Sequence, residues 1–330
     1  MKIYDLHCDV LHKLWMEEKG GGPGSLRENA YHVDLRKMKQ SNYGLQCFAA
    51  FVDQGEPESP EESAKAQIAI FHREMEKNRD LIAPVYEYSD ISKNAAEGKM
   101  SGLLTIEGGE AAKGDLSLLE EYYRMGVRIL TLTWNYENEL GFPNINEGDP
   151  NCTYPFAADT EHGLKEMGFT FLERMEQLGM AVDVSHLSDA GFYDVAAHTK
   201  KPFFATHSNA REKASFVRNL TDDMIRILAE RGGVTGINYC ADFLYDFAQG
   251  EEPVSRVNDM VTHIRHITDA GGIEVLALGS DFDGIGGALE MENCGRLELL
   301  ADVLKKAGFT ASERDKIFYQ NADRVFHDLF

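Results

Sequence analysis

Histidine and carboxylate side chains recur at the ends of short apolar runs in this chain, and these residue types hold divalent metals. D-L-H-C-D supplies His7 and Asp9, T-I-E-G-G-E supplies Glu107, and V-D-V-S-H supplies His186. A-T-H-S supplies His207, and G-S-D-F-D-G supplies Asp281 and Asp283. Imidazole nitrogen combined with carboxylate oxygen suits Zn2+, with Mn2+, Co2+ or Fe2+ as substitutes. In an extended chain His7 and Asp9 would point to one face, so both ligands would aim the same way. Three histidines and three carboxylates exceed what one tetrahedral zinc uses. A two-metal site with a bridging carboxylate fits better, its ions ~3.5–4 Å apart and sharing an activated water. Singly these motifs are weak. H-x-D is short, and Glu107 could merely face a helix amino terminus. Their agreement carries the reading, because five separate run ends each present a ligand type.

Something must bring those ends together. Apolar runs at 3–8, 45–52, 102–106, 127–133, 181–185, 203–206, 234–238 and 275–279 read as strands, and helix-length amphipathic segments separate most of them. Several runs are continuously apolar, as parallel strands covered by helices are. Eight such units predict a (β/α)8 barrel, with a doubly wound open sheet as the alternative. One domain over 1–330 is expected, with the metal site at the carboxyl ends of the strands. Ala64, Ile68, Phe71 and Met75 form one helical stripe, opened by Ser59, Pro60 and Glu62 as a capping box. Thr310 and Glu313 open the last helix the same way, and Ile317, Val325 and Phe326 are among its apolar positions. Two loops, 19–25 and 134–156, are expected on the active face, the second as a candidate lid.

Composition narrows the partners. The 330 residues are 43% hydrophobic and carry a net charge of −22. Such a chain can bury a large core, but it repels phosphate backbones and anionic lipid, so neither nucleic acid nor membrane is expected as a partner. No 18-residue apolar window predicts a membrane span, and the first residues lack the apolar run of a signal peptide. The five cysteines, Cys8, Cys47, Cys152, Cys240 and Cys294, are scattered without a C-x-x-C pair, which reads as reduced thiols in a cytoplasm. A homodimer is compatible with the sequence but not required by it.

Other patterns carry less. His263 and His266, with Arg265 beside them, read as a solvated helix face. Asp281, Asp283, Gly286 and Glu292 partly mimic a calcium loop, but Ile285 occupies a required oxygen position. Gly284, Gly286 and Gly287 lack a P-loop lysine and read as a tight turn. Arg211 and Arg218 follow His207, and a guanidinium near a metal suits bidentate capture of a substrate carboxylate.

Together these motifs resemble the membrane dipeptidase (renal dipeptidase) family of the amidohydrolase superfamily, in a bacterial-type form. The likeness runs from D-L-H-C-D to G-S-D-F-D-G through I-E-G-G-E, L-T-L-T, V-D-V-S-H, T-H-S-N-A-R and R-N-L-T-D-D. It implies a barrel with two zinc ions, His7 and Asp9 on one, His186 and His207 on the other, and Glu107 bridging them. It also implies that Arg218 binds the substrate carboxylate and that Asp281 handles the proton of a metal-bridging hydroxide. Asp9, Glu107 and that hydroxide would offset three of the four positive charges of two zincs, leaving a field that polarises the scissile carbonyl. The implied substrates are dipeptides, including those with a carboxyl-terminal D-residue. The chain departs from animal members at Trp134, where they carry histidine, and at Glu110. Trp134 and Asn135 are therefore the expected substrate-contacting residues that set this pocket apart. The competing functions are another amidohydrolase reaction, on an N-acyl amino acid or a lactam, and a non-catalytic metal-binding barrel.

Overall fold

In the computed structural model, which describes residues 1–149, 157–248 and 250–330, parallel strands close into a barrel. The strands are β1 (Ile3–Asp5), β2 (Tyr43–Phe51), β3 (Ile82–Pro84), β4 (Met100–Glu107), β5 (Val127–Thr131), β6 (Ala181–Asp183), β7 (Phe204–Ala205), β8 (Val234–Ile237), β9 (Val254–Ser255), β10 (Leu276–Leu278) and β11 (Ala288–Leu289). The order β2-β1-β10-β8-β7-β6-β5-β4 is completed when β4 pairs back onto β2, in register from Leu45↔Ser101 to Phe51↔Glu107. This closure excludes the open sheet. Each predicted run contributes one barrel strand. β3 was not predicted; it lies outside the ring, against the first residues of β4. Nor was the two-residue ladder of β9 and β11. Segments this short carry no measurable period.

Both faces of the barrel strands are apolar, which is why they read as continuous runs. Leu45, Cys47, Leu103, Ile129, Phe204 and Val234 gather in one buried cluster with Val325, Phe326 and Leu329 of the last helix. Phe48, Ala50, Leu104, Ile106 and Leu130 belong to the other cluster, under the surrounding helices. The helix Pro60–Lys77 starts at the expected capping box, with Ser59 Oγ accepting from Glu62 N and the Glu62 carboxylate accepting from Ser59 N. The last helical segment also begins at its predicted box but changes pitch. A π turn at Lys316–Gln320 divides Ala311–Asp315 from Asn321–Leu329. Beyond that turn, Asn321 Nδ2 donates to the carbonyls of Ile273 and Leu276.

Two glycines set the closeness of the strands beneath the site. A Cβ on Gly236 or Gly279 would lie 2.0 or 1.8 Å from Thr206 O. No side chain fits there, so the ends of β7, β8 and β10 crowd together and aim the residues just past them at a common point. The 19–25 segment departs from expectation. The helix Val10–Lys19 separates it from β1, and none of its residues lines the main cleft. No helix among the described residues is long and apolar enough to cross a membrane.

Candidate active site

The predicted ligands converge, though not by the route the sequence suggested for the first pair. β1 ends at Asp5, and Asp9 already caps the helix Val10–Lys19 with φ −106° and ψ 22°. The chain is thus not extended through His7–Asp9. The pair still meets, with His7 Nε2 3.3 Å from Asp9 Oδ2. Glu107, at the end of β4, lies between two sets of nitrogens. Its Oε2 is 3.3 Å from His7 Nε2, and its Oε1 is 2.8 Å from His186 Nε2 and 3.2 Å from His207 Nε2. The Nε2 atoms of His186 and His207 are 3.1 Å apart. Asp281 Oδ1 stands 4.0 Å from His7 Nε2.

This arrangement fits a metal centre. With metal–nitrogen bonds of about 2.0–2.1 Å, a tetrahedral edge is about 3.3 Å, close to these donor spacings. Burial pushes His186 down to about 4, helped by the Arg218 charge and opposed by Glu107. Burial and the His7 charge hold His207 well below the usual range, so both rings are neutral. Thr206 Oγ1 donates to Asp183 Oδ2 at 2.6 Å, so it accepts from His207 Nδ1 at 2.8 Å. The His207 Nε2 lone pair then faces a carboxylate oxygen, a repulsive contact that a cation between them would relieve. Among the described residues, His7 Nε2 and Asp9 Oδ1 are buried without a hydrogen-bond partner. Burial alone would raise Glu107, but the charge on His7 is the foremost influence against this, and the carboxyl lies well below the usual carboxylate range. His7, Glu107 and His207 form one group able to hold a metal, and His7, Asp9 and Asp281 form a second.

Asp281 and Asp283 both have left-handed backbones, with φ 59° and 74°. Short polar side chains tolerate this region better than most. A Cβ on Gly284 would come within 2.2 Å of Asp9 Oδ2 and 2.4 Å of Asp281 Oδ1, so only glycine lets the turn press against both carboxylates. Asn238 Nδ2 donates to Asp281 Oδ2 at 2.8 Å. Burial lifts Asp281 well above the usual range; Asp9 and Glu107 add to this, and His7 opposes it. Asp283 has a different task. It accepts from the backbone N–H groups of His32 and Val33, tying the 26–34 segment to the turn.

The two arginines separate cleanly. Arg211 forks onto Asp189 at 2.6 and 2.8 Å and also donates to the carbonyls of Asn219 and Val217, so it is committed within the protein. Arg218 is buried, and among the described residues none of its guanidinium nitrogens has a hydrogen-bond partner. It lines a cleft of about 540 Å³ together with Asp9, Glu107, Trp134, His186, Asp281 and Phe243. Burial lowers it to about 10, while Glu107, Asp281 and Asp183 act in the opposite direction. His263 is a correction. It is fully buried, not solvated, with Nδ1 accepting from Ala210 N and Nε2 facing Leu244 O, so it is a core histidine. His266 pairs with Asp222 at 2.6 Å.

Trp134 packs edge-on against Phe51, with centroids 4.8 Å apart, and forms one wall of the cleft. Asn135 lines the cleft and also bonds His186 Nδ1 at 3.0 Å. Of the predicted 134–156 loop, residues 150–156, Cys152 among them, lie outside the described residues. Sequence reasoning missed the polar partners behind the predicted site residues: Asp183, Thr206, Asn238 and Glu147. Asp183 and Thr206 stand inside the V-D-V-S-H and A-T-H-S motifs, each close to a histidine. Asn238 and Glu147 had no local signal.

A family model described as membrane dipeptidase (peptidase family M19) matches residues 1–329. The chain belongs to the membrane dipeptidase family. It is a metallo-dipeptidase, a hydrolase of peptide bonds acting on a small peptide with a bound metal. An uncharacterized dipeptidase of Schizosaccharomyces pombe is 30% identical over 310 residues, covering 89% of this chain and 71% of the relative. Among solved structures, dipeptidase AC, a metallopeptidase of family M19, has a TM-score of 0.90 at 25% identity, over 100% of this chain and 98% of that one. A metallopeptidase from Rhodobacter sphaeroides, liganded with a phosphinate mimic of the dipeptide L-Ala-D-Ala, has a TM-score of 0.88 at 23% identity, over 100% of this chain and 99% of that one.

Proposed function

We propose that this membrane dipeptidase family member is a two-zinc enzyme that cleaves dipeptides with a free carboxyl terminus, including those ending in a D-residue. The observation that carries this reading is the position of Glu107, whose two oxygens face different ligand sets, His7 on one side and His186 with His207 on the other. His7 and Asp9 would hold one ion, His186 and His207 the other, and Glu107 both. Bound there, the ions would supply a water acidic enough to attack near neutral pH and a Lewis-acid grip on the scissile carbonyl.

The remaining steps fall to the protein. Arg218 takes the substrate carboxylate, because a buried guanidinium without a partner is completed by a planar anion. This sets the reach from carboxylate to scissile bond and limits substrates to short peptides. Asp281 accepts the proton of the attacking water and returns it to the leaving amine. Asn238 occupies Oδ2 and leaves Oδ1 facing the ligands, free to take the proton. Trp134, Phe51 and Phe243 wall the cleft against water. The D-residue is carried over from the ligand of the Rhodobacter sphaeroides structure. The chain 1–330 acts as one catalytic domain. Its free thiols at Cys8, Cys47, Cys240 and Cys294 support a cytoplasmic setting.

The test is hydrolysis of L-Ala-D-Ala and L-Ala-L-Ala by zinc-loaded protein beside a chelated control. Cleavage of both, abolished by chelation, is the expected result. Failure on both with two zincs bound would turn the search to N-acyl amino acids and lactams.

A further inference from the structure

His186 and His207 face the same Glu107 oxygen, and each has a partner on its other ring nitrogen. For His207 the chain of bonds runs inward, from Nδ1 to Thr206 Oγ1 at 2.8 Å and from that hydroxyl to Asp183 Oδ2 at 2.6 Å. For His186 it runs outward, from Nδ1 to Asn135 Oδ1 at 3.0 Å and from Asn135 Nδ2 to Glu147 Oε1 at 3.0 Å. The two relays have the same logic. A carboxylate accepts from a neutral group, that group accepts from Nδ1–H, and the imidazole is left with its Nε2 lone pair facing the centre. The Asn135 amide can be oriented only one way in this chain, because a carboxylate cannot donate to its oxygen. Backbone geometry reinforces the outer relay, since Glu147 N donates to Asn135 O at 2.8 Å.

We propose that Asn135, braced by Glu147, is a positioning residue for His186, fixing the tautomer and ring angle with which this histidine meets its metal. Asn135 was expected to contact substrate. Its amide makes the two bonds that link His186 to Glu147. Outer partners of this kind are worth about 10–100-fold in metal affinity. Glu147 is solvent-exposed and sits in the loop that walls the cleft. The grip on one of two ions therefore depends on a surface loop. The proposal rests on the two-ion reading above.

The experiment is titration of the metal-free full chain with Zn2+ in competition with a chromophoric chelator, followed by steady-state kinetics on L-Ala-D-Ala at saturating zinc. Asn135→Ala is expected to bind one ion like the parent and the other about 10–100-fold more weakly. At saturating zinc its KM should stay within about twofold, because the residue acts through His186 and not on substrate. Asn135→Asp alone sets two carboxylates against each other and should also weaken one ion. Asn135→Asp combined with Glu147→Gln exchanges donor and acceptor and should restore affinity to within a few-fold, a rescue that a general loss of structure would not show. If Asn135→Ala binds both ions like the parent and only KM rises, the relay is wrong and Asn135 is a substrate contact. If the parent itself takes up fewer than two ions, the two-ion reading fails and the relay goes with it.

Discussion

His207 and His186 use equivalent chemistry in opposite surroundings. The carboxylate behind His207, Asp183, is fully buried and accepts from Thr131 Oγ1, Ser185 N and Oγ, and Thr206 N and Oγ1. Those donors sit on β5 or just past β6 and β7, so the relay is part of the barrel wall. The carboxylate behind His186, Glu147, is exposed, accepts from Asn135 and lies 3.5 Å from the Tyr136 hydroxyl in the same loop. The His207 half of this pair is built with the fold. The His186 half is assembled by a loop that also shapes the substrate cleft. Loops tolerate change better than barrel walls, so substitutions should reshape the pocket more readily on the His186 side than on the barrel side.

Glu107 faces both of these histidines and His7 as well, so removing it should have the largest effect. Glu107→Ala is expected to abolish turnover and leave fewer than one zinc per chain by elemental analysis. Retention of two would refute the bridge. Asp281→Asn is next. It keeps the isosteric contact with Asn238 but cannot take a proton, so turnover should fall by about 10²-fold or more with both zincs retained. Unchanged turnover would remove the proton role and leave Asp281 as a ligand of the His7 half.

Arg218 has no hydrogen-bond partner among the described residues, so its proposed role as anchor of the substrate carboxylate can be tested directly. Arg218→Met should raise KM for L-Ala-D-Ala by about 10–100-fold, the worth of a charge-assisted bidentate pair. The carboxyl-amidated peptide should show almost none of that rise. The same variant should melt higher than the parent without ligand, since a buried guanidinium without hydrogen-bond partners among the described residues has been replaced by an apolar chain. A lower Tm would mean that the guanidinium has a partner in solution. Thr206→Val then separates the two relays. It should weaken one ion about as much as Asn135→Ala does, yet also cost the metal-free fold about 1–2 kcal/mol, because Asp183 loses a buried donor. Asn135→Ala should leave the metal-free Tm unchanged. Equal losses in both variants would erase the distinction between barrel and loop.

The barrel was legible because its strands are apolar on both faces and each ends in a polar motif. The convergence of His7, Glu107, His186 and His207 was legible because they stand at or just past those ends, where residue type alone is informative. Three kinds of residue were not. Arg211 and Arg218 look alike in sequence, and only Asp189, 22 residues before Arg211, decides which of them is free. His263 lies on an amphipathic helix beside two polar neighbours, and its burial depends on Ala210 and Leu244 from other elements. Glu147 gives no signal because its importance lies in a contact with Asn135 across a turn.

Glu110 sets the smallest expected effect, at the root of the loop-held half. Its carboxylate accepts from Asn138 Nδ2 at 3.0 Å, and Asn138 in turn accepts from Leu140 N and Gly141 N. Burial raises Glu110 from 4.5 to about 7, with Asn138 opposing and Glu107 adding to the rise. The folded chain therefore keeps this proton up to about pH 7, while the unfolded chain releases it near 4.5. The contribution to stability is complete below about 4.5 and is lost as pH rises through 7, up to about 3 kcal/mol for a shift of this size. Glu110→Gln is always neutral and should lack that slope. Melting the chelated parent and the variant at about pH 5 and about pH 8 should give a parent Tm that falls further at the higher pH. Parallel falls would mean that Glu110 ionises freely. Zinc affinity decides what the root of the loop does for its tip. If the Asn138 bond survives in the variant, Asn135 keeps its place and both ions should bind as in the parent. A selective loss of one ion would extend the His186 relay back to Glu110 and make the loop a single cooperative unit.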